Sequence, residues 1–379
     1  MISRARFLVS IWASGALRVR RSLLTGAPVG AALMLACGRD GERPSPSLDV
    51  DRRMVPARTV TLRDDRDVPL EFLFLSMSDD STLVVVERRT QDLWRIPIRE
   101  PAAATRVGLA AARGRERITG LAAFVGGVSL IDLRGGISEG AATEADPQLV
   151  ARRRVEGPRT LLGFVRLTDG TFVLLEARTQ VVAGRWQPAD TVTLLRIVRP
   201  DSQAVLAKWA RSDYTRPLGI ASDFLSLRAR NDTLFVAGNS PARVMPVVAA
   251  APMLTTPVLL RGLSAAPMAH RDAERVTSDL VGRGIPAAEV AKVSLVYPPV
   301  VSALPAGAGW FVVTSMATDR FALIHICPGM TVMDLVRGSD IVGIHLLDRH
   351  VVIVREALAN GRVLVEVSRN TDFNVACNP

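Results

Sequence analysis

TDGTFVLLEARTQVV, Thr168 to Val182, opens on a polar turn and runs directly into an apolar stretch. Gly170 offers the backbone freedom that a tight turn needs, and Asp169 can hydrogen-bond its own backbone two residues on. The apolar run from Phe172 to Leu175 is too short for a helix and suits a strand. Turn, strand, polar break and second strand together make half of a small sheet.

The same order recurs along the chain. DDSTLVVVERRTQDLWRIPI from Asp79, NDTLFVAGNSPARVMPVV from Asn231, GAGWFVVTSMATDRFALIHI from Gly307 and LDRHVVIVREALANGRVLVEV from Leu347 repeat it, and GGVSLIDLRGG from Gly126 is a weaker sixth copy. A further apolar strand precedes each copy: LEFLFLSM, ITGLAAFV, TLLGFVRL, LGIASDFLSL, VVSALPAG and IVGIHLL. With a more variable outer strand the unit is a four-stranded antiparallel blade. The marker residues Leu83, Val128, Phe172, Leu234, Trp310 and Val351 are 45, 44, 62, 76 and 41 residues apart. Four-stranded blades take about 40–50 residues, so the two long intervals carry insertions.

Six such blades predict an all-β fold, a six-bladed β-propeller over residues 56–379. One small sheet cannot bury both its faces, whereas radial packing against two neighbours buries both. Phe321, Leu323 and His325 on one face and Ala322, Ile324 and Ile326 on the other fit that environment. ARTVTL, Ala57 to Leu62, is expected to supply the outer strand of the last blade, which leaves no free edge. The Asp-Gly-x-(Leu/Phe)-x-Val hairpin, clearest at Asp169 to Leu174, resembles the turn of six-bladed β-propeller lipoproteins with NHL-like repeats. That resemblance spans roughly residues 55 to 370 and implies a fold; its motif is a structural turn and carries no catalytic signature.

Two segments depart from the repeat. Ala269 to Val293 has helical composition, with Pro286 opening a second short turn. It reads as an insertion, residues 264–296, between the fourth and fifth blades, which either caps the channel or packs on the side of the ring. AGRWQPADTVTLL widens a hairpin in the third blade.

The N-terminal segment is an address. Residues 1–36 hold Arg4, Arg6, Arg18, Arg20 and Arg21, no acid, and a short apolar run from Leu23 to Ala36. A basic region followed by a short apolar one makes an export signal, and the run is too short and broken to span a bilayer. LMLAC resembles a lipobox, with Cys37 as the acylated residue; an ordinary signal peptide is the alternative. RVRRSLLTG contains a twin arginine, which leaves the export route open. Residues 37–55, rich in Pro, Gly and Ser, read as a flexible tether. Gly38 after the cysteine favours the outer membrane, facing the periplasm or the cell surface.

Removing the signal lowers the formal net charge from +10 to +5. With only two lysines, Lys208 and Lys292, the arginine excess carries no basic face that would mark a nucleic-acid binder. Cys327 and Cys377, the cysteines after Cys37, are read either as a disulfide or as two separate thiols.

Chemistry is sparse. GISEG, Gly136 to Gly140, matches the letters of a nucleophile elbow, but its surroundings read as a loop in a β blade, without the strand-to-helix turn. His270, His325, His345 and His350 show no metal-ligand spacing, and no phosphate loop or dinucleotide fingerprint occurs. No cofactor is therefore expected, and no catalytic residue is assigned, with a divalent metal in the channel left open. Propellers place ligands where the inner strands begin. The polar residues near those starts are Arg117, Arg159, Arg216, Tyr297 and Asp340, and three arginines there would suit an anionic ligand. The expectation is a monomeric, non-catalytic binding or scaffolding protein for a protein partner or small anionic ligand. A lactonase-like hydrolase or lyase acting in the channel is the alternative.

Overall fold

A computed structural model of the chain describes residues 59–62, 72–79, 81–87, 91–99, 104–107, 118–132, 135–141, 150–154, 159–182, 185–199, 202–210, 226–239, 241–250, 255–263, 265–282, 286–291, 295–317, 320–328, 332–357, 362–373 and 377. Within them lie six four-stranded antiparallel sheets, each a blade, five of them built in chain order from the axis outward. Blade one is β2 (Phe72–Asp79), β3 (Thr82–Glu87), β4 (Leu93–Pro97) and β5 (Thr105–Val107). Blade two is β6 (Ile118–Phe124), β7 (Gly127–Asp132), β8 (Gly136–Ala141) and β9 (Val150–Arg154). Blade three is β10 (Arg159–Arg166), β11 (Phe172–Val182), β12 (Arg185–Arg199) and β13 (Ser202–Ala210). Blade four is β14 (Ser226–Arg230), β15 (Thr233–Asn239), β16 (Ala242–Val248) and β17 (Val258–Leu259). Blade five is β20 (Ser302–Ala306), β21 (Gly309–Ala317), β22 (Arg320–Ile326) and β23 (Val332–Arg337).

The sixth blade closes the ring. β24 (Ile341–Leu346), β25 (His350–Ala357) and β26 (Arg362–Arg369) are completed by the N-terminal strand β1 (Thr59–Leu62). β1 runs antiparallel to β26, with Thr59 opposite Glu366 and Leu62 opposite Val363. The first strands β2, β6, β10, β14, β20 and β24 touch in succession around the axis.

Strand alternation explains why the blades stack. In β3, Val84 and Val86 pack on Ile118, Leu121 and Val128 of blade two. Leu83 and Val85 of the same strand pack on Val352 and Val365 of blade six. Successive side chains point to opposite faces, so a continuous apolar strand fills two interfaces. Near the axis the spacing tightens. An added Cβ on Gly120 would meet Ile131 Cγ2 at 2.7 Å and Phe164 Cβ at 3.0 Å.

The turn that opened the sequence reading is built as the residues suggest. Gly170 has φ +78, and Asp169 Oδ1 accepts hydrogen bonds from Thr171 N at 2.9 Å and Thr171 Oγ1 at 2.7 Å. Asp79 Oδ1 repeats the device on Ser81 N and Ser81 Oγ, both at 2.6 Å. Burial pushes the carboxyl pKa of Asp169 up, but the Thr171 bonds and the Arg196 charge outweigh it and hold the group below its ordinary value.

Between blades four and five the chain forms β18 (Ala266–Pro267), α1 (His270–Gly282), α2 (Ala287–Val290) and β19 (Val296–Tyr297), with β18 and β19 paired as a small separate sheet. Buried Asn239 staples the re-entry point: its Nδ2 donates to Val300 O at 2.8 Å and its Oδ1 accepts from Val300 N at 2.7 Å. At the other end of the chain Cys327 and Cys377 form a disulfide with Cα atoms 5.5 Å apart.

Candidate functional site

The six inner strands are the surface that a channel ligand would meet. Together they carry four arginines, Arg159, Arg166, Arg228 and Arg230, one histidine, His345, and a single acid, Asp79. Asp79 ends β2 at its hairpin. A divalent-metal hydrolase needs several carboxylates converging on one point, and these strands do not supply that donor set.

The arginines differ in what they touch. Arg166 Nε lies 3.2 Å from Glu139 Oε1, and its guanidinium sits 3.9 Å from the centre of the Phe124 ring. Arg230 Nη1 donates to Pro305 O at 2.9 Å, and its Nε is 3.7 Å from Asp348 Oδ1. Asp348 lies in the hairpin between β24 and β25, so Arg230 reaches from blade four past blade five to blade six.

Two positions nearer the start of β14, Arg228 has no acid. Its Nε donates to Ser302 Oγ at 3.0 Å and its Nη1 to Leu227 O at 3.1 Å. Among the described residues no carboxylate pairs with it. Desolvation lowers its pKa to about 10. On β24, burial and the Arg228 charge together lower the pKa of His345 to about 4, so its imidazole is neutral at pH 7. Ser302, at the start of β20, is fully buried and fixes one edge of the guanidinium. Consecutive blades thus bring Arg228, Ser302 and His345 to one part of the channel wall, an arrangement rich in donors and poor in negative charge.

Of the ligand-binding residues singled out in the sequence, Tyr297 and Asp340 are the two whose side chains are described. Arg117, Arg216 and Cys37 lie outside the described residues, and Arg159 is the first residue of β10, with its side chain outside them. Tyr297 serves the insertion: its hydroxyl donates to Asp272 Oδ2 at 2.5 Å and accepts from Ala269 N at 3.1 Å. Burial, with the Asp272 bond, raises the phenol pKa. Asp340, just before β24, receives Arg355 Nη1 at 3.1 and 3.0 Å, while Arg355 Nε reaches Glu366 Oε1 at 3.0 Å. Ser138 sits inside β8 and is buried, so GISEG is a strand where the sequence suggested a loop. The signal that could have found Arg228 and Arg230 is the pair itself. In SLRAR two arginines, two apart, occupy one face of an inner strand whose counterparts are mostly apolar or small.

The chain matches no protein-family model, and no curated protein matches it by sequence. Solved structures share its fold. An exported-protein candidate of Bacteroides fragilis superposes with a TM-score of 0.51 at 8% identity, covering 83% of this chain and 94% of that one. A gluconolactonase of Xanthomonas campestris gives 0.47 at 10% identity, covering 82% and 90%. At these identities the likeness is one of fold.

Proposed function

We propose that the protein is an exported, lipid-anchored propeller that binds a small anionic ligand in its central channel without transforming it. The observation that carries this reading is Arg228, a charge held on the channel wall with no carboxylate partner among the described residues. Arg228 is half-buried; partly withdrawing such a cation from water is costly, and an incoming anion offsets part of that cost. The inner-strand excess of arginine over acid would draw anions toward the same place. The basic and apolar N-terminal segment ending at Cys37 supports export and anchoring at the outer membrane. With a single acid along the inner strands, a binding role needs fewer assumptions than a metal-dependent hydrolase.

The test is a thermal melt of the purified protein against a panel of anionic, neutral and cationic small molecules. Stabilisation confined to anions, and lost in Arg228→Gln, is the expected result. Stabilisation by neutral compounds alone, or equal stabilisation of the variant, would overturn the reading.

A further inference from the structure

The geometry points to a second site, remote from the channel arginines in chemistry: when the disulfide is reduced, His325, Cys327 and Cys377 form a Zn²⁺ site. Their ligand atoms all lie within 4.8 Å of one another. His325, on β22, is 1% exposed. Its Nε2 lies 3.2 Å from Ala306 O. A carbonyl oxygen can only accept, so Nε2 carries the hydrogen of that bond. Nδ1 therefore turns toward the sulfurs, 3.6 Å from Cys327 Sγ and 3.8 Å from Cys377 Sγ.

Those distances match the shape of a zinc site. With Zn–S of about 2.3 Å and Zn–N of about 2.0–2.1 Å, tetrahedral angles place nitrogen and sulfur roughly 3.6 Å apart. The same angles place two sulfurs roughly 3.8 Å apart, so reduction leaves only the thiolates to separate. A backbone carbonyl on the far imidazole nitrogen is the usual partner that orients a metal-binding histidine. The ring is also fixed by its surroundings. Phe311 meets it edge-on with ring centres 5.5 Å apart, and a Cβ on Gly309 would lie 2.7 Å from its Cε1. Cys377 is half-buried, and three protein ligands leave a fourth tetrahedral position for water.

The chemistry balances with a dithiol reductant. Two electrons and two protons convert the Cys327–Cys377 disulfide into two thiols, while the reductant becomes its own disulfide. Zn²⁺ then displaces the two thiol protons and is held by two thiolates and neutral imidazole Nδ1. Disulfide and metal exclude one another, so the site reads the thiol state of its surroundings.

The experiment takes the full chain, reduces it with a phosphine, removes the reductant without oxygen, and titrates in Co²⁺ followed by Zn²⁺. One Co²⁺ per chain is expected, with thiolate charge-transfer absorption and the visible bands of a tetrahedral ion, both erased by Zn²⁺. The oxidised protein should take up none, and Cys377→Ser should weaken binding at least tenfold. X-ray absorption of the zinc-loaded wild type needs no variant. It should count two sulfurs at about 2.3 Å and an imidazole nitrogen at about 2.0–2.1 Å. Absence of stoichiometric Co²⁺ in the reduced chain, or a zinc shell without imidazole, would overturn the assignment.

Discussion

Gly163 and Leu227 meet across the boundary of blades three and four so closely that a Cβ on residue 163 would sit 2.4 Å from Leu227 Cβ and 3.1 Å from Leu227 N. Inner strands converge toward the axis of a ring, and here the backbone of β14 fills the space that a side chain on β10 would need. Gly163→Ala is expected to destabilise the protein by about 2–3 kcal/mol, as overpacking does in closed cores. Gly126, at φ +78 with open space around its Cβ position, is the contrast. Gly126→Ala should cost about 1 kcal/mol, from backbone conformation alone. Urea unfolding of both variants at one pH checks the ranking, and equal costs would refute the packing account.

His345 should make the fold acid-sensitive. Its folded pKa, about 4, lies below the ordinary 6.5, so between those values the unfolded chain binds the extra proton. Stability contributed by the neutral imidazole is complete above about pH 6.5 and is lost as pH falls toward 4. The full effect is at most about 3 kcal/mol. His345→Gln should flatten that part of the stability-versus-pH curve, measured by denaturation between pH 4 and 7.

Arg228 should trade stability for binding. Arg228→Met removes a cation that has no carboxylate partner among the described residues and keeps an apolar stem, so the unliganded protein should gain about 1 kcal/mol of stability and melt at a higher temperature. The same variant should lose stabilisation by anions. A lower unliganded melt would mean that its bonds to Ser302 and Leu227 outweigh the charge.

Cys37 should govern where the protein resides. Cys37→Ala is expected to abolish incorporation of labelled fatty acid and to release the propeller from the membrane fraction. Retention of both would reassign the segment to an ordinary signal peptide.

The repeat was legible because a blade is a local object. Turn, strand, break and strand fit within about 45 residues, and all six marker residues lie in the second strand of their blades. Ring closure was legible too, since TVTL is an apolar-alternating strand with no partner nearby in sequence. The site was less so. Looking near the starts of inner strands selected Arg117, Arg159, Arg216, Tyr297 and Asp340; of the two whose side chains are described, Tyr297 bonds within the insertion and Asp340 pairs with Arg355. Arg228 matters for having no carboxylate partner among the described residues, and the surroundings of a channel residue come from segments more than 70 residues apart. His325 illustrates the same limit. Its strand announces a buried ring, yet only the returning chain end places a second sulfur beside Nδ1.

The pairing of β1 with β26 also sets a clock. Thr59 and Glu366 are register partners, so the first described strand waits for the last described one. Ribosomes add about 5–20 residues per second, which makes that wait roughly 15 seconds to a minute. Throughout it TVTL has no sixth blade to join, and it offers hydrogen-bonding edges to whatever is near. Its shortness, four residues, limits that exposure. The ring is finished by a single late event, and a chain cut before residue 363 has nothing for its own beginning to grip.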